Sequence, residues 1–273
     1  MTQSTQLSSA TLSSATLLPI ITIDGSSGAG KGTLTSRLAN QLGYAMLDSG
    51  ALYRIVGLMA QRQGLLNTTA LDETALEALT QSLNIVFLPA KQGSEHVTVL
   101  VNGEDISQAI RTEQVGEYAS KVAVLPKVRQ ALLGLQHMMA QPSPTNFALE
   151  SALKPALKID TQSANPFPQT KGLVADGRDM GTVVFPQAPV KVYLVASPQA
   201  RAERRVKQLQ NAQQTADYAE ILAQIIARDE RDSGRSVAPA KPAEDAVVID
   251  SSSLTADQVF DQVWQLCQQR GLV

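Results

Sequence analysis

The chain has 273 residues, 44% of them apolar, with 23 basic against 25 acidic side chains and a formal net charge of −2. Those values suit one large α/β domain or one domain carrying insertions; no stretch nears the roughly 20 continuous apolar residues that cross a bilayer, and so balanced a charge gives nucleic acid or anionic lipid no general attraction. The single cysteine, Cys267, lacks a partner for an internal disulfide and points to a reducing cytoplasm.

Residues 1–18 are rich in Ser, Thr, Gln and Leu and contain no Lys or Arg. They fit neither a secretory signal nor a cationic transit peptide, and their composition predicts a disordered leader. The run from Pro19 to Leu34 then reads as a strand (Ile20–Asp24), a glycine-rich turn and the start of a helix (Lys31–Leu42). Gly25, Gly28 and Gly30 let the backbone curl with its N–H groups inward, the helix adds its positive end, and Lys31 supplies a mobile cation. This is a cradle for the β- and γ-phosphates of a nucleoside triphosphate. A flexible surface turn is the competing reading, and the flanking strand and helix argue against it. Gly32 separates Lys31 from Thr33, so a magnesium ion is expected to be held more through water and the nucleotide than by that hydroxyl.

A second strand, Tyr44–Leu47, and a helix, Ala51–Gln63, bracket Asp48-Ser49-Gly50. Ser49 is expected to cap the helix and Arg54 to face the same opening as the cradle, where it would grip an anion. From Gly64 to Ala140 the strand–helix rhythm breaks. A helix at Leu71–Leu83, strands at Asn84–Leu88 and His96–Val101, an Asn102-Gly103 turn and helices near Arg111–Val124 and Lys127–Met139 describe an inserted unit, with Pro126 in a first helical turn. Gln141–Lys171 carries five prolines among polar residues and reads as a flexible excursion.

The rhythm resumes with strands Leu173–Ala175, Val190–Val195 and Ala246–Ile249 and helices Gln199–Asn211, Tyr218–Arg231 and Ala256–Arg270. The alternation predicts a parallel sheet flanked by helices, with Asp24, Asp48, Asp176 and Asp250 at the carboxyl ends of its strands, where ligands bind. Asp176-Gly177-Arg178-Asp179 packs two carboxylates around an arginine; it is either a self-paired surface turn or a ligand-contacting one. If the helix through residue 231 persists, Arg228, Arg231, Asp232 and Arg235 share an arc of about 100°, and Asp232 is placed to hold Arg228. That pattern is either a salt-bridged surface helix or a set of fixed cations for a phosphoryl group in transfer. Arg201, Arg204, Arg205 and Lys207 add a basic stretch on the preceding helix. The pair of helices, joined near residues 211–217, is expected to close as a lid and exclude water.

In order, Ile21–Thr33, Leu47–Arg54, Ala175–Pro186 and Arg228–Asp232 continuing to Ala238-Pro239 resemble the motifs of the bacterial cytidylate kinase family. The resemblance runs from about Pro19 to Ala140 and from Gly172 to the end. Ser26, where that family often has proline, and the 141–171 insertion depart from it. It implies an α/β P-loop nucleoside monophosphate kinase fold: a five-stranded parallel sheet flanked by helices, a small β-containing NMP-binding insertion (64–140) and a helical lid (201–235) on a core of 19–63, 172–200 and 236–273.

The same resemblance implies that ATP, as co-substrate with Mg2+, binds Gly25, Ser26, Ser27, Gly28, Ala29, Gly30, Lys31, Gly32 and Thr33. Lys31, Arg228 and Arg231 would be catalytic, and CMP or dCMP would meet Ser49, Arg54, Ser120, Arg129, Arg178, Asp179, Arg228, Asp232 and Arg235. No residue is assigned as a direct metal ligand. Asp179 would accept from cytosine's exocyclic amine and repel the carbonyl that uracil has in its place. The implied protein is a cytoplasmic monomer without nucleic-acid or membrane partners. A P-loop kinase for another monophosphate or a small metabolite is the alternative, while the chain lacks the Asn-Lys-x-Asp segment of guanine-reading switches.

Overall fold

The structure, a computed structural model, describes residues 18–68, 70–88, 98–140, 170–211, 213–235 and 237–273. The expected leader up to residue 17, the Pro-rich excursion up to residue 169 and the head of the strand expected from His96 lie outside the described residues. The chain runs β1 (Ile20–Gly25), α1 (Lys31–Leu42), β2 (Ala45–Asp48) and α2 (Ser49–Arg62), then α3 (Glu73–Ser82), β3 (Ile85–Leu88), β4 (Thr98–Val101), β5 (Glu104–Asp105), α4 (Glu113–Val122) and α5 (Pro126–Met139). It continues with β6 (Leu173–Gly177), a π-helical turn over Met180–Val184, β7 (Val190–Val195), α6 (Pro198–Asn211), α7 (Tyr218–Ser233), β8 (Val247–Asp250) and α8 (Ala256–Gln269).

β1 is the centre of a five-stranded parallel sheet of order β2-β6-β1-β7-β8. Both faces of that sheet are covered, so Thr22 and Asp24 of β1 are buried along with Ile21 and Ile23. On one face Ile21, Ile23 and Val174 pack with Leu34 and Leu38 of α1 and Val259, Val263 and Cys267 of α8. On the other, Leu173 and Ala175 pack with Leu52 and Ile55 of α2, Leu132 of α5 and Met180 of the π-turn. That second cluster runs on into Val99, Val101 and Ile106, so the inserted unit shares the main core.

The insertion carries a separate antiparallel sheet, β3-β4-β5. Its β4–β5 hairpin turns on Asn102 and Gly103, both at positive φ (51° and 85°), as a tight two-residue turn requires. The single helix expected over Arg111–Val124 is divided: a 3-10 turn ends at Arg111, and Thr112, extended, starts α4 by accepting from Val115 N at 3.3 Å. α2 and α4 touch backbone to backbone at Gly57, where an added Cβ would lie 2.7 Å from Ala119 N.

Candidate active site

The cradle forms where β1 hands over to α1. Gly25, Gly28 and Gly30 all have positive φ (138°, 79° and 100°), and a Cβ at Gly25 would fall 1.9 Å from Leu194 O. Gly30 is the N-cap of α1 and offers no side-chain cap, so the first N–H groups of the helix stay available to an anion. Lys31 is buried; its Nζ donates to Ser26 O at 3.0 Å and lies 3.8 Å from Asp176 Oδ1. Burial lowers the Lys31 pKa, and the nearby Arg178 and Arg228 guanidiniums push it the same way. Burial also raises Asp176. Lys31, Arg178 and Arg228 thus gather at one mouth, where an incoming polyanion would meet three cations. Thr33 is exposed in the first turn of α1.

Beside the cradle, the buried Asp24 accepts from Met180 N at 2.8 Å and from Gly181 N at 2.7 Å, and burial pushes its pKa up to about 6. It thereby anchors the π-turn. The preceding residues are not paired among themselves: Asp176 meets Lys31, Arg178 Nε donates to Asp232 Oδ2 at 2.9 Å, and Asp179 forms an ion pair with Arg129. Each side chain of that turn is thus committed to a different element, and the surface-turn reading falls away.

Asp232 is buried between two arginines, Arg178 and Arg235. Burial alone would raise its pKa, but the two guanidiniums outweigh that and hold it below the usual carboxylate range. This corrects the expected Arg228–Asp232 pair: the carboxylate is already taken by partners better aimed at it, and Arg228 Nε is buried with no partner. Burial, with Arg178 nearby, pushes Arg228 down to about 10. α7 stops at Ser233, capped by Gly234, so Arg235 reaches the site through Asp232 rather than by helical phase, and its Nε too is buried and unpartnered. Arg231 is exposed, its Nε donating back to Ala227 O at 3.1 Å.

One further expectation changes. Asp48, extended just before α2, caps it by accepting from Ala51 N at 3.0 Å; Ser49 is the first helical residue, buried, and its Oγ accepts from Gln136 Nε2 at 3.0 Å. Arg54 donates from Nη1 to Ile110 O and Thr112 O of the insertion, both at 2.9 Å, and lies near enough to Arg228 to help lower its pKa. Asp250, at the end of β8, accepts from Ser252 N and Oγ on the exposed side.

Arg129 donates to Ala123 O at 3.1 Å and lies 5.7 Å from the centroid of the Tyr53 ring. Ser120 Oγ donates to Gly116 O at 3.1 Å. Ser120 of α4 and Val124, just past its end, face Arg231, Arg235 and Val237 across a cleft between the insertion and the lid-side helix α7. Sequence reasoning missed Gln136 and Ser251, and it took Arg201 only as one member of a basic stretch. Ser251, whose Oγ donates to the cradle's Ala29 O at 3.0 Å, stands one residue past a strand-end aspartate, and its place after β8 was the available signal. Among the described residues no group of three or more His, Cys, Asp or Glu is set for a metal ion, and no helix is long and apolar enough to cross a membrane.

A family model described as cytidylate kinase matches residues 21–150 and 143–269. The chain is similar to cytidylate kinase 1 of Haemophilus influenzae, 47% identical over 253 residues covering 93% of this chain and 95% of that protein. It is 47% identical over 250 residues to the cytidylate kinase of Pasteurella multocida (92% and 95% covered) and 49% identical over 243 residues to that of Acinetobacter baumannii (88% and 92%).

Proposed function

This chain belongs to the cytidylate kinase family, and on that premise we propose that it moves the γ-phosphate of ATP to CMP or dCMP, giving ADP and CDP or dCDP. The observation that carries the site assignment is the pair of buried, unpartnered guanidinium nitrogens, Arg228 Nε and Arg235 Nε, on the arm beside the Lys31 cradle. A buried donor with no acceptor is costly unless a ligand supplies one, and phosphate oxygens are suited to that task.

In this reading residues 25–33 bind ATP, with Lys31 on the transferred phosphate. Arg228 and Arg231 neutralise the oxygens between donor and acceptor. Arg231 is exposed and meets them when the lid closes. The acceptor's phosphate is already an anionic nucleophile, so no general base is assigned; alignment and charge stabilisation supply the acceleration. Asp232 holds Arg178 and Arg235 at the acceptor site. Ser49, fixed by Gln136, and Arg54, fixed to the insertion's backbone, complete the monophosphate pocket. Ser120, Arg129 and Asp179 read cytosine: its exocyclic amine donates to the Asp179 carboxylate, which uracil's carbonyl would oppose.

Magnesium suits the site through the nucleotide and water, since the described residues offer no three-ligand cluster; Asp176, beside Lys31, is the chain's candidate to accept from the ion's waters. When bound, the ion would neutralise charge on the β- and γ-phosphates. The proposed division is a core of 19–63, 172–200 and 236–273, an NMP-binding insertion of 64–140, an excursion of 141–171 and a lid of 201–235. A monomer acting in pyrimidine nucleotide metabolism in the cytoplasm, without nucleic acid or membrane, is consistent with the buried free thiol of Cys267 and the even charge.

A coupled ADP assay with CMP, dCMP, UMP and AMP tests the proposal. CMP and dCMP should accelerate ADP formation far more than UMP or AMP; ATP consumption indifferent to CMP would overturn it.

A further inference from the structure

Arg201 stands in the first turn of α6 and is 2% exposed. Its Nε donates to Ala196 O at 3.0 Å and, more weakly, to Ser197 O at 3.4 Å, both just past the end of β7. Nη1 donates to Ser27 O in the cradle at 3.1 Å and to Asp229 Oδ1 at 2.9 Å, and Nη2 donates to Asp229 Oδ2. The aliphatic part of the same side chain lies against the cradle: a Cβ at Gly28 would be 3.6 Å from Arg201 Cβ. One planar, always charged fork therefore joins a sheet edge, the phosphate cradle and α7.

Asp229 is the residue next to Arg228. A two-point contact on its carboxylate fixes the rotation of α7 about its axis, and with it where Arg228 points and where Asp232 meets Arg178. A lysine in place of Arg201 would keep the charge but not the fork. Every nitrogen of this guanidinium has a protein acceptor, which sets it apart from Arg228, whose Nε is left open.

We propose that Arg201 is a positioning residue whose fork onto Asp229, braced on Ser27 O, holds the Arg228-bearing segment of α7 in register with the phosphate cradle. This rests on the phosphotransferase reading above. It makes the two ends of the clamp separable: Asp229→Asn takes the charge and one of the two acceptor oxygens from the arm end and leaves the cradle end, whereas Arg201→Met removes both.

The test measures kcat and the KM values for ATP and CMP, together with hydrogen exchange of the α7 amides, in wild type, Asp229→Asn, Asp229→Glu, Arg201→Met and the Arg201→Met/Asp229→Asn double variant. A displaced catalytic group costs on the order of 10- to 100-fold in rate, so Asp229→Asn should lower kcat by about that factor with the ATP KM within about threefold. Arg201→Met should lower kcat and also raise the ATP KM. The double variant should be no slower than Arg201→Met, and Asp229→Glu, which keeps a carboxylate, should recover part of the loss. If Asp229→Asn keeps kcat within about threefold of wild type, or if the two losses multiply in the double variant, the clamp is overturned. Should Arg201→Met fail to fold, the Asp229 pair decides. Exchange of the α7 amides separates this proposal from the functional one: faster exchange near Arg228 in Asp229→Asn is expected whether or not CMP stimulates turnover, and unchanged exchange overturns the clamp in either case.

Discussion

Arg129 and Asp179 form a largely buried ion pair that ties α5 to the turn following β6, with the Tyr53 ring beside the guanidinium. The carboxylate proposed to read the base is therefore oriented by a cation before any substrate arrives. Removing it altogether leaves Arg129 buried and unpaired, which costs about 3–5 kcal/mol in comparable pairs. Asp179→Asn is the cleaner probe. It takes away the charge and one of two acceptor oxygens and adds an amide donor that suits uracil's carbonyl, so it is expected to lower kcat/KM for CMP by about tenfold or more while UMP is unchanged or improved. Side-by-side rates with the two nucleotides check this, and equal losses would remove Asp179 from base recognition.

Arg228→Met separates function from stability. Losing a cation aimed at the transferring phosphate is expected to cost about 100- to 1,000-fold in kcat. The same change removes a buried Nε that has no partner, so the melting temperature should hold or rise. Calorimetry together with turnover checks both halves. A kcat within tenfold of wild type would contradict the role.

Asp24 gives a pH signature. Its pKa is raised by burial from 3.8 to about 6. Between those values the native chain holds a proton at Asp24 that the unfolded chain releases, so this carboxyl favours folding as the pH falls from 6 to 4 and disfavours it on the way back up. Relative to Asp24→Asn, wild type should lose roughly 3 kcal/mol of stability across that window as the pH rises and show a flat difference above it. Urea titrations of both proteins at a series of pH values measure the difference; a constant offset, or the opposite slope, would show that burial does not control this group.

Gly57→Ala and Gly116→Ala differ in what the new methyl meets. At Gly57 it is the α4 backbone at 2.7 Å; at Gly116 it is Arg54 Nη2, a side-chain end, at 3.0 Å. Gly57→Ala should destabilise by about 1–3 kcal/mol and, because α4 carries Ser120, raise the KM for CMP more than that for ATP. Gly116→Ala should be the milder of the two in thermal unfolding.

What the sequence made readable was local. The cradle is contiguous, and its strand, glycines and helix announce themselves through composition and spacing; the alternating strands and helices did the same for the parallel sheet. The pairings across the site were not local. The i,i+4 rule offered Asp232 to Arg228, yet the carboxylate is claimed by Arg178, 54 residues away, and no periodicity encodes that separation. Arg201 looked like one member of a basic stretch because burial of a single arginine leaves no mark on composition. Asp48 and Ser49 are both good capping residues, and only the extended backbone of Asp48 decides between them.

β1 lies at the middle of the sheet, yet the two strands bonded to it, β6 and β7, begin at Leu173 and Val190, and Ser251 braces the cradle from further still. A nascent chain leaving the ribosome therefore carries its first-made motif without support until most of the polypeptide has been translated. Nucleotide capture is thus a late event in biogenesis, and for most of synthesis Ile20, Ile21 and Ile23 have no neighbouring strand to bury against.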